Sequence, residues 1–274
     1  MNLASKYILL QQTLKDLRKV LIAYSGGVDS TFLLRVAVDT LGKENVLACI
    51  AKGPSLPKSQ YEQAIQTVRK IGAKVKTIET NEMGDPKFTA NEADRCFHCK
   101  SHLLAALKDL AKQNGFEHIV CGNNLDDESD FRPGNRAMKI HGARSPLLEA
   151  QLTKDDIRQL SRQLDLPTAD NPASPCLASR ISYGLKITKE RLKQVEEAED
   201  FLRSEFGLNE FRVRHHDTIA RIEVHAADFD KITKEPARSK IAKKLKSFGF
   251  KYVTIDLQGF RSGSLNEMLT KKEQ

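Results

Sequence analysis

Between residues 19 and about 165, short apolar runs alternate with stretches whose apolar residues recur at helical spacing. This alternation limits the possible fold more than any other feature of the chain. The apolar runs are 20–24 (VLIAY), 46–51 (VLACIA), 75–78 (VKTI) and 118–121 (HIVC). The stretches between them, 30–41, 58–71 and 97–113, read as helices. Strand–helix alternation implies a parallel sheet with helices on both faces. One more helix is expected over 154–164, capped by Thr153, with Asp155 and Asp156 in its first turn and Pro167 beyond its end. Ahead of the first strand, MNLASKYILLQQTLKDL places Leu3, Tyr7, Leu10, Leu14 and Leu17 on one helical face.

The pattern changes after residue 165. Residues 166–187 hold three prolines and few helical cues. Thr188 then suits the N-cap of a helix running to about 206, with Glu190 in its first turn. Two short strands, 211–215 and 219–224, a helix near 231–248 and a strand at 251–257 complete the chain. The expectation is an α/β fold, a parallel sheet flanked by helices over 1–165. A connecting loop, 166–187, leads to a smaller C-terminal α+β domain over 188–274, whose charged end (LTKKEQ) is expected to fray.

A formal net charge of +8 favours an anionic partner such as a nucleotide, a phosphorylated metabolite or RNA. No long basic block accompanies it, so nucleic acid is not the expected partner. No apolar run approaches the length that spans a bilayer, and the N-terminus lacks the pattern of a secretory signal. A soluble, cytoplasmic protein without a membrane partner is expected.

The first apolar run ends in SGGVDS, residues 25–30, and becomes helical at once. In open parallel sheets ligands sit beyond the carboxyl ends of the strands. Gly26 and Gly27 allow close backbone approach, the helix N-terminus offers unpaired N–H groups, and Ser25 and Ser30 add hydroxyls. Together they form an anion cradle. Asp29 would repel a bare phosphate, which implies a Mg²⁺ ion bridging it to the phosphates. The string matches neither G-x-x-x-x-G-K-[ST] nor G-x-G-x-x-G. Beyond the fourth apolar run, CGNNLDDESDFRPG carries Asn124, Asp126, Asp127 and Asp130, each either a metal or substrate ligand or part of a solvated acidic loop. GARSPLLE (142–149) reads as another turn on the nucleotide side.

Five cysteines, an odd number, argue against a disulfide framework. Cys49 and Cys121 lie within apolar runs and read as buried strand residues. Cys96 and Cys99 form C-x-x-C at the start of a helix, a spacing that suits one metal centre or a redox pair. Zinc would need two more soft ligands, and the nearby His98 and His102 make a poor finger. Cys176, in NPASPCLASR, is the third candidate thiol. Three thiols can hold a [4Fe–4S] cluster with one iron open to an added sulfide, unless Cys176 is incidental. A sulfur carrier beside a site that activates a substrate oxygen would point to thiolation, in which sulfur displaces that oxygen.

SGGVDS after an apolar strand resembles the pyrophosphate loop of the N-type ATP pyrophosphatases, which cleave ATP to AMP and pyrophosphate. PCLASRISYG (175–184), FRVRHHDTIARIEV (211–224) and GFKYVTIDLQGFRSGSLNE (249–267) further resemble the LarE family of ATP-dependent sulfur transferases. The likeness extends over nearly the whole chain. It implies a pyridinium-3,5-biscarboxylic acid mononucleotide as substrate, with each carboxylate adenylated and converted to a thiocarboxylate. In one form of the family the counterpart of Cys176 surrenders its own sulfur. The C-x-x-C sets this chain apart from that form, and implies a [4Fe–4S] cluster on Cys96, Cys99 and Cys176 that carries sulfide from an unidentified source.

For the substrate's phosphate and carboxylates the candidates are Arg212, Arg214, Arg261 and Arg180. Arg212 and Arg214 share one strand face, which suits either an anion site or a solvated charged face. Glu199 and Glu223 are candidate metal ligands near the sulfur site, although a lone Glu is more often a surface charge. His215 and His216 point to opposite faces and read as structural. The resemblance also implies a homo-oligomer, a hexamer. Two other functions compete: a tRNA thiolase, which should carry an RNA-binding module not found here, and a nucleotide sensor without chemistry.

Overall fold

A computed structural model describes residues 1–128 and 133–269; Asp130 and the charged end from residue 270 lie outside the described residues. In chain order the elements are α1 (Leu3–Leu17), β1 (Val20–Ala23), α2 (Val28–Leu41), β2 (Val46–Lys52), α3 (Lys58–Ile71), β3 (Lys74–Glu79), α4 (Pro86–Thr89), α5 (Arg95–Gln113), β4 (His118–Cys121), α6 (Gly134–His141), α7 (Pro146–Glu149), α8 (Lys154–Gln163), α9 (Lys189–Phe206), β5 (Phe211–His216), β6 (Ile219–Val224), α10 (Phe229–Thr233), α11 (Ala237–Ser247) and β7 (Tyr252–Ile255). They form two compact units, Met1–Glu82 with Cys96–Ser174 and Met83–Arg95 with Pro175–Gln274.

The first unit is a parallel sheet in the order β3-β2-β1-β4. Strand residues alternate between two apolar layers. Val20, Ile22, Ala48, Ile50 and Val120 face a core shared with α1, α2, α3 and α8. Leu21, Leu47, Cys49, Ile119 and Cys121 face a second core with α5 and α6. Burial on both faces explains why these strands read as near-continuous apolar runs. Cys49 and Cys121 are buried as expected, and burial pushes the Cys49 thiol up to about 12. Arg144 extends the sheet beyond β4: its N–H donates to the Ile119 carbonyl at 2.9 Å and its carbonyl accepts from the Cys121 N–H at 2.9 Å. The expected capping of α8 is present, with Thr153 and Asp156 exchanging side-chain and backbone hydrogen bonds.

The second unit carries β5 and β6 antiparallel, with β7 parallel to β6. Its core joins Ala198 and Leu202 of α9 to Phe211, Val213, Ile222 and Leu245. The single helix expected near 231–248 is two helices, α10 and α11. Pro236 lacks the N–H that would continue α10 and stands instead at the N-cap of α11. The last strand stops at Ile255, because the Asp256 carboxylate accepts from the Gln258 N–H at 2.9 Å and turns the chain.

The division falls between Ser174 and Pro175, within the expected connecting loop, and residues 83–95 join the second unit. Asn91 accounts for that placement. Its side-chain amide donates to the carbonyls of Ser182 at 2.7 Å and Leu185 at 3.0 Å, while Arg95 donates to its oxygen. Partners some ninety residues away leave no local trace in the sequence.

Candidate functional site

The strand order places the switch point of the first unit between β1 and β4, whose connections run to opposite sides. Ligand crevices in open α/β sheets form there, beyond the carboxyl ends. SGGVDS leaves β1 at that point and CGNN leaves β4. Gly26 has φ +78°, and a Cβ added to it would lie 2.7 Å from the Cβ of Ala64 in α3. Gly122 lies so close to α2 that a Cβ would come within 2.9 Å of the Ser30 backbone nitrogen. Both glycines are therefore required by close approach and not by flexibility alone.

Within the turn the Ser25 and Ser30 hydroxyls lie 3.0 Å apart, and Ser30 donates to the Gly27 carbonyl at 3.2 Å. Gly27 is the N-cap of α2 and provides no side-chain cap, so the first-turn N–H groups keep their capacity to bind an anion. Tyr24 and Thr31, unremarked in the sequence, brace the turn from beneath through a buried hydroxyl contact of 3.0 Å. Burial raises the Tyr24 phenol above its ordinary range, so this contact stays neutral. Gln60 of α3 donates to the Ser25 carbonyl at 3.4 Å.

Asp29 is engaged by a residue the sequence reading did not single out. The Lys154 ammonium donates to both Asp29 oxygens, at 2.8 and 2.6 Å. The Lys154 backbone N–H in turn donates to Asp126 Oδ2 at 2.8 Å. One signal was available: Lys154 opens α8, where the helix dipole disfavours a cation. A partly exposed pair of this kind contributes about 0.2–1 kcal/mol. The donor set fits Mg²⁺, which binds through one or two carboxylates together with substrate phosphates.

The acidic loop after β4 is knitted together. Asn124 N–H donates to Asp127 Oδ2 at 3.0 Å, Asp126 N–H to Asn124 Oδ1 at 3.0 Å, and the Asn135 amide to the Asp127 carbonyl at 3.1 Å. Asn124 and Asp127 are buried, and Asp126 caps α8 through the Lys154 N–H. The loop also lines a cavity of about 480 Å³, with Asn135, Arg144 and Ser145 on its other walls. Arg144 and Ser145, from the GARSPLLE turn, thus lie on the same sheet end.

Cys96 and Cys99 lie one turn apart at the start of α5, Cys96 exposed and Cys99 half-buried. Next to them Phe97 meets His98 edge-on, and the Arg136 guanidinium lies 4.0 Å from the Phe97 ring centroid. Both thiols thus lie on the first turn of the helix, and Cys96 is the more accessible of the two. Among the described residues no three His, Cys, Asp or Glu side chains are grouped as metal ligands.

In the second unit Cys176 is exposed and stands at the N-cap of a 3₁₀ turn, Leu177–Arg180. Two buried arginines grip the backbone of this turn. Arg180 donates to the carbonyls of Pro175 and Cys176, the latter at 3.1 Å, and pairs with Glu199 at 3.0 Å. Arg214 donates to the Ser179 carbonyl at 3.0 Å and pairs with Glu223 at 2.8 Å. Glu199 also accepts from the Val213 N–H at 3.1 Å, and Glu223 from Ser264 Oγ at 2.9 Å. The readings of Glu199 and Glu223 as surface charges, and of the Arg212–Arg214 face as solvated, are corrected: all four are buried. Burial is tolerated because each carboxylate is met by a guanidinium and further donors.

Arg212 lies 5.1 Å from the Phe260 ring centroid, and burial, followed by the nearby Arg180 charge, lowers its guanidinium to about 10. Arg261 is more exposed and pairs with Glu267 at 2.9 Å. His215 is buried, with Nε2 2.8 Å from Gln194 Oε1, and burial lowers it to about 4. His216 lies on the opposite face and is likewise lowered by burial.

The family model of NAD synthase matches residues 5–122. The chain is 44% identical to an uncharacterized protein of Synechocystis sp., over 98% of this chain and 100% of that protein. It is 38% identical to the pyridinium-3,5-bisthiocarboxylic acid mononucleotide synthase of Lactiplantibacillus plantarum, over 99% of this chain and 98% of that enzyme. A glutamine-hydrolyzing GMP synthase of Bdellovibrio bacteriovorus is 29% identical over 68% of this chain and 40% of its own length.

Proposed function

The chain belongs to the LarE family of pyridinium-3,5-bisthiocarboxylic acid mononucleotide synthases, and from that membership we propose that it is an ATP-dependent sulfur transferase acting on pyridinium-3,5-biscarboxylic acid mononucleotide. The observation that carries the reading is the glycine turn at the switch point, with α2 aimed beyond the sheet and a carboxylate in its first turn. In the first step a substrate carboxylate oxygen attacks the α-phosphorus of ATP. The bond to the β-phosphate bridging oxygen breaks and pyrophosphate leaves. First-turn N–H groups of α2 and the Ser25 and Ser30 hydroxyls hold the departing phosphates. Asp29 would hold Mg²⁺, which neutralises phosphate charge when bound.

In the second step a sulfur nucleophile attacks the acyl carbon, the carbon–oxygen bond to AMP breaks, and a thiocarboxylate forms. Cys176 is assigned to sulfur delivery because its thiol is exposed while Arg180 holds its carbonyl and Arg214 holds that of Ser179 in the same turn. Cys96, Cys99 and Cys176 would hold a [4Fe–4S] cluster, which when bound supplies a sulfide nucleophile at its open iron. The alternative is single-use donation from Cys176 itself: its thiolate forms a thioester with the acyl carbon as AMP leaves, and loss of the Cys176 α-proton then breaks the Cβ–Sγ bond, releasing the thiocarboxylate and leaving dehydroalanine. Arg212 and Arg261 are assigned to the substrate's anionic groups. A homo-oligomer, a hexamer, is also proposed.

The test is pyrophosphate release, expected only when the pyridinium mononucleotide accompanies ATP. Release that depends on tRNA, or none at all, would overturn the assignment. Iron and sulfide are counted after anaerobic purification of the native chain and of Cys96→Ala, Cys99→Ala and Cys176→Ala. Iron retained by all three variants rules out these ligands. Loss of one sulfur atom from Cys176 after turnover, read by mass spectrometry, selects the single-use route.

A further inference from the structure

The chain that leads to Cys176 is fastened at two points of the first unit. Arg158 donates to the carbonyls of Ala169 at 2.7 Å and Asn171 at 2.9 Å. Past Asn171 the residues are exposed, and Pro172 and Pro175 have no N–H to offer. The second point is Ser174, two residues before Cys176. Its carbonyl accepts from the Gln60 amide at 3.4 Å, and its hydroxyl lies 3.4 Å from Gln60 Oε1, to which it can donate. The same amide donates to the carbonyl of Ser25, in the glycine turn. The half-buried Gln60 thus spends both amide protons and its oxygen on two segments, both in the first unit.

We propose that Gln60 is a positioning residue for the sulfur-transfer step: it couples occupation of the glycine turn to the order of residues 172–174, the approach to Cys176. This rests on the reading of SGGVDS as the nucleotide turn. The Ser25 carbonyl and the Gly26 N–H belong to one planar trans peptide and point in opposite directions. By holding the carbonyl, Gln60 aims the N–H away from α3, while Ala64, one helical turn beyond Gln60, packs behind Gly26. A phosphate accepting from the Gly26 N–H makes the Ser25 carbonyl a stronger acceptor. Gln60 then binds it more tightly, and Gln60 Oε1 in turn becomes a better acceptor for the Ser174 hydroxyl. The dipoles run head to tail, the arrangement in which hydrogen bonds strengthen one another. At 3.4 Å each of these contacts is at the long end of its range and has room to tighten.

Hydrogen exchange at the Ala173 and Ser174 amides is measured on the full chain with and without ATP and Mg²⁺. In the native protein ATP should slow exchange about fivefold. Gln60→Met should abolish the slowing, and Ser174→Ala, which keeps the carbonyl contact, should retain part of it. The second measurement is pyrophosphate released per thiocarboxylate formed with ATP and the pyridinium mononucleotide. This ratio should rise in Gln60→Met. An acyl adenylate that waits for its sulfur nucleophile is taken by water instead, whose oxygen bonds to the acyl carbon as AMP leaves, regenerating the carboxylate. A merely structural role would lower both products together and leave the ratio unchanged. Three results overturn the role of Gln60 alone: slowing undiminished in Gln60→Met, no slowing in a native chain that binds ATP, or an unchanged ratio. A native chain that does not bind ATP overturns the nucleotide reading as well.

Discussion

Asp29 and Lys154 meet with about a quarter and a third of their side chains exposed, whereas Glu223 is wholly buried against Arg214. The two pairs use the same chemistry under opposite conditions. Beside the glycine turn, water screens both charges and the pair is worth about 0.2–1 kcal/mol. In the second unit, Arg180–Glu199 and Arg214–Glu223 are shut away from water, and their spare donors fasten the backbone around Cys176. A screened, exposed pair can part at little cost, whereas a buried matched pair cannot.

Breaking a buried pair should produce the largest effect. Glu223→Ala leaves the buried Arg214 without its carboxylate, and takes one of two from Arg221, which keeps Asp256; it should lower stability by about 3–5 kcal/mol in urea unfolding. A loss below 1 kcal/mol would erase the contrast drawn here.

His215 sharpens the same contrast through pH. In the unfolded chain the imidazole takes up a proton near its ordinary 6.5; in the folded protein burial delays this to about 4. Between these values the unfolded state binds more protons. The stability conferred is therefore complete above about pH 6.5 and is lost as pH falls toward 4, on the order of 3 kcal/mol in all. Unfolding midpoints measured from pH 4 to 7 should rise with pH, and His215→Gln should flatten that rise.

A smaller effect is expected at the turn. Gly26→Ala forces a side chain onto a positive φ and against Ala64, and should cost about 1–3 kcal/mol while weakening ATP binding. The smallest belongs to Asp29→Asn, which should change stability by less than about 1 kcal/mol yet remove Mn²⁺ binding. A large stability loss there would mean that the exposed pair is structural after all.

Much of the architecture was legible in the chain. The four apolar runs are the four parallel strands, and Thr153 and Thr188 cap the helices expected of them. These features are local: a strand buried on both faces or a capped helix is written in consecutive residues. The glycine turn was legible for the same reason, since its backbone demands fall on six neighbouring positions. Lys154 was not, because its significance lies in a carboxylate 125 residues earlier. Nor was the burial of Glu199 and Glu223, since a carboxylate in isolation reads as surface until its guanidinium is found.

The sequence by itself determined the parallel sheet, the glycine turn at its edge, the C-x-x-C at the start of a helix and the likeness to a sulfur-transferase family. Only the tertiary structure decided which charges are spent on each other. Whether an arginine is available to a ligand depends on which carboxylate lies within 3 Å of it and on how much water surrounds both. Neither is set by spacing along the chain, because opposite charges pair across whatever distance in sequence the fold has closed.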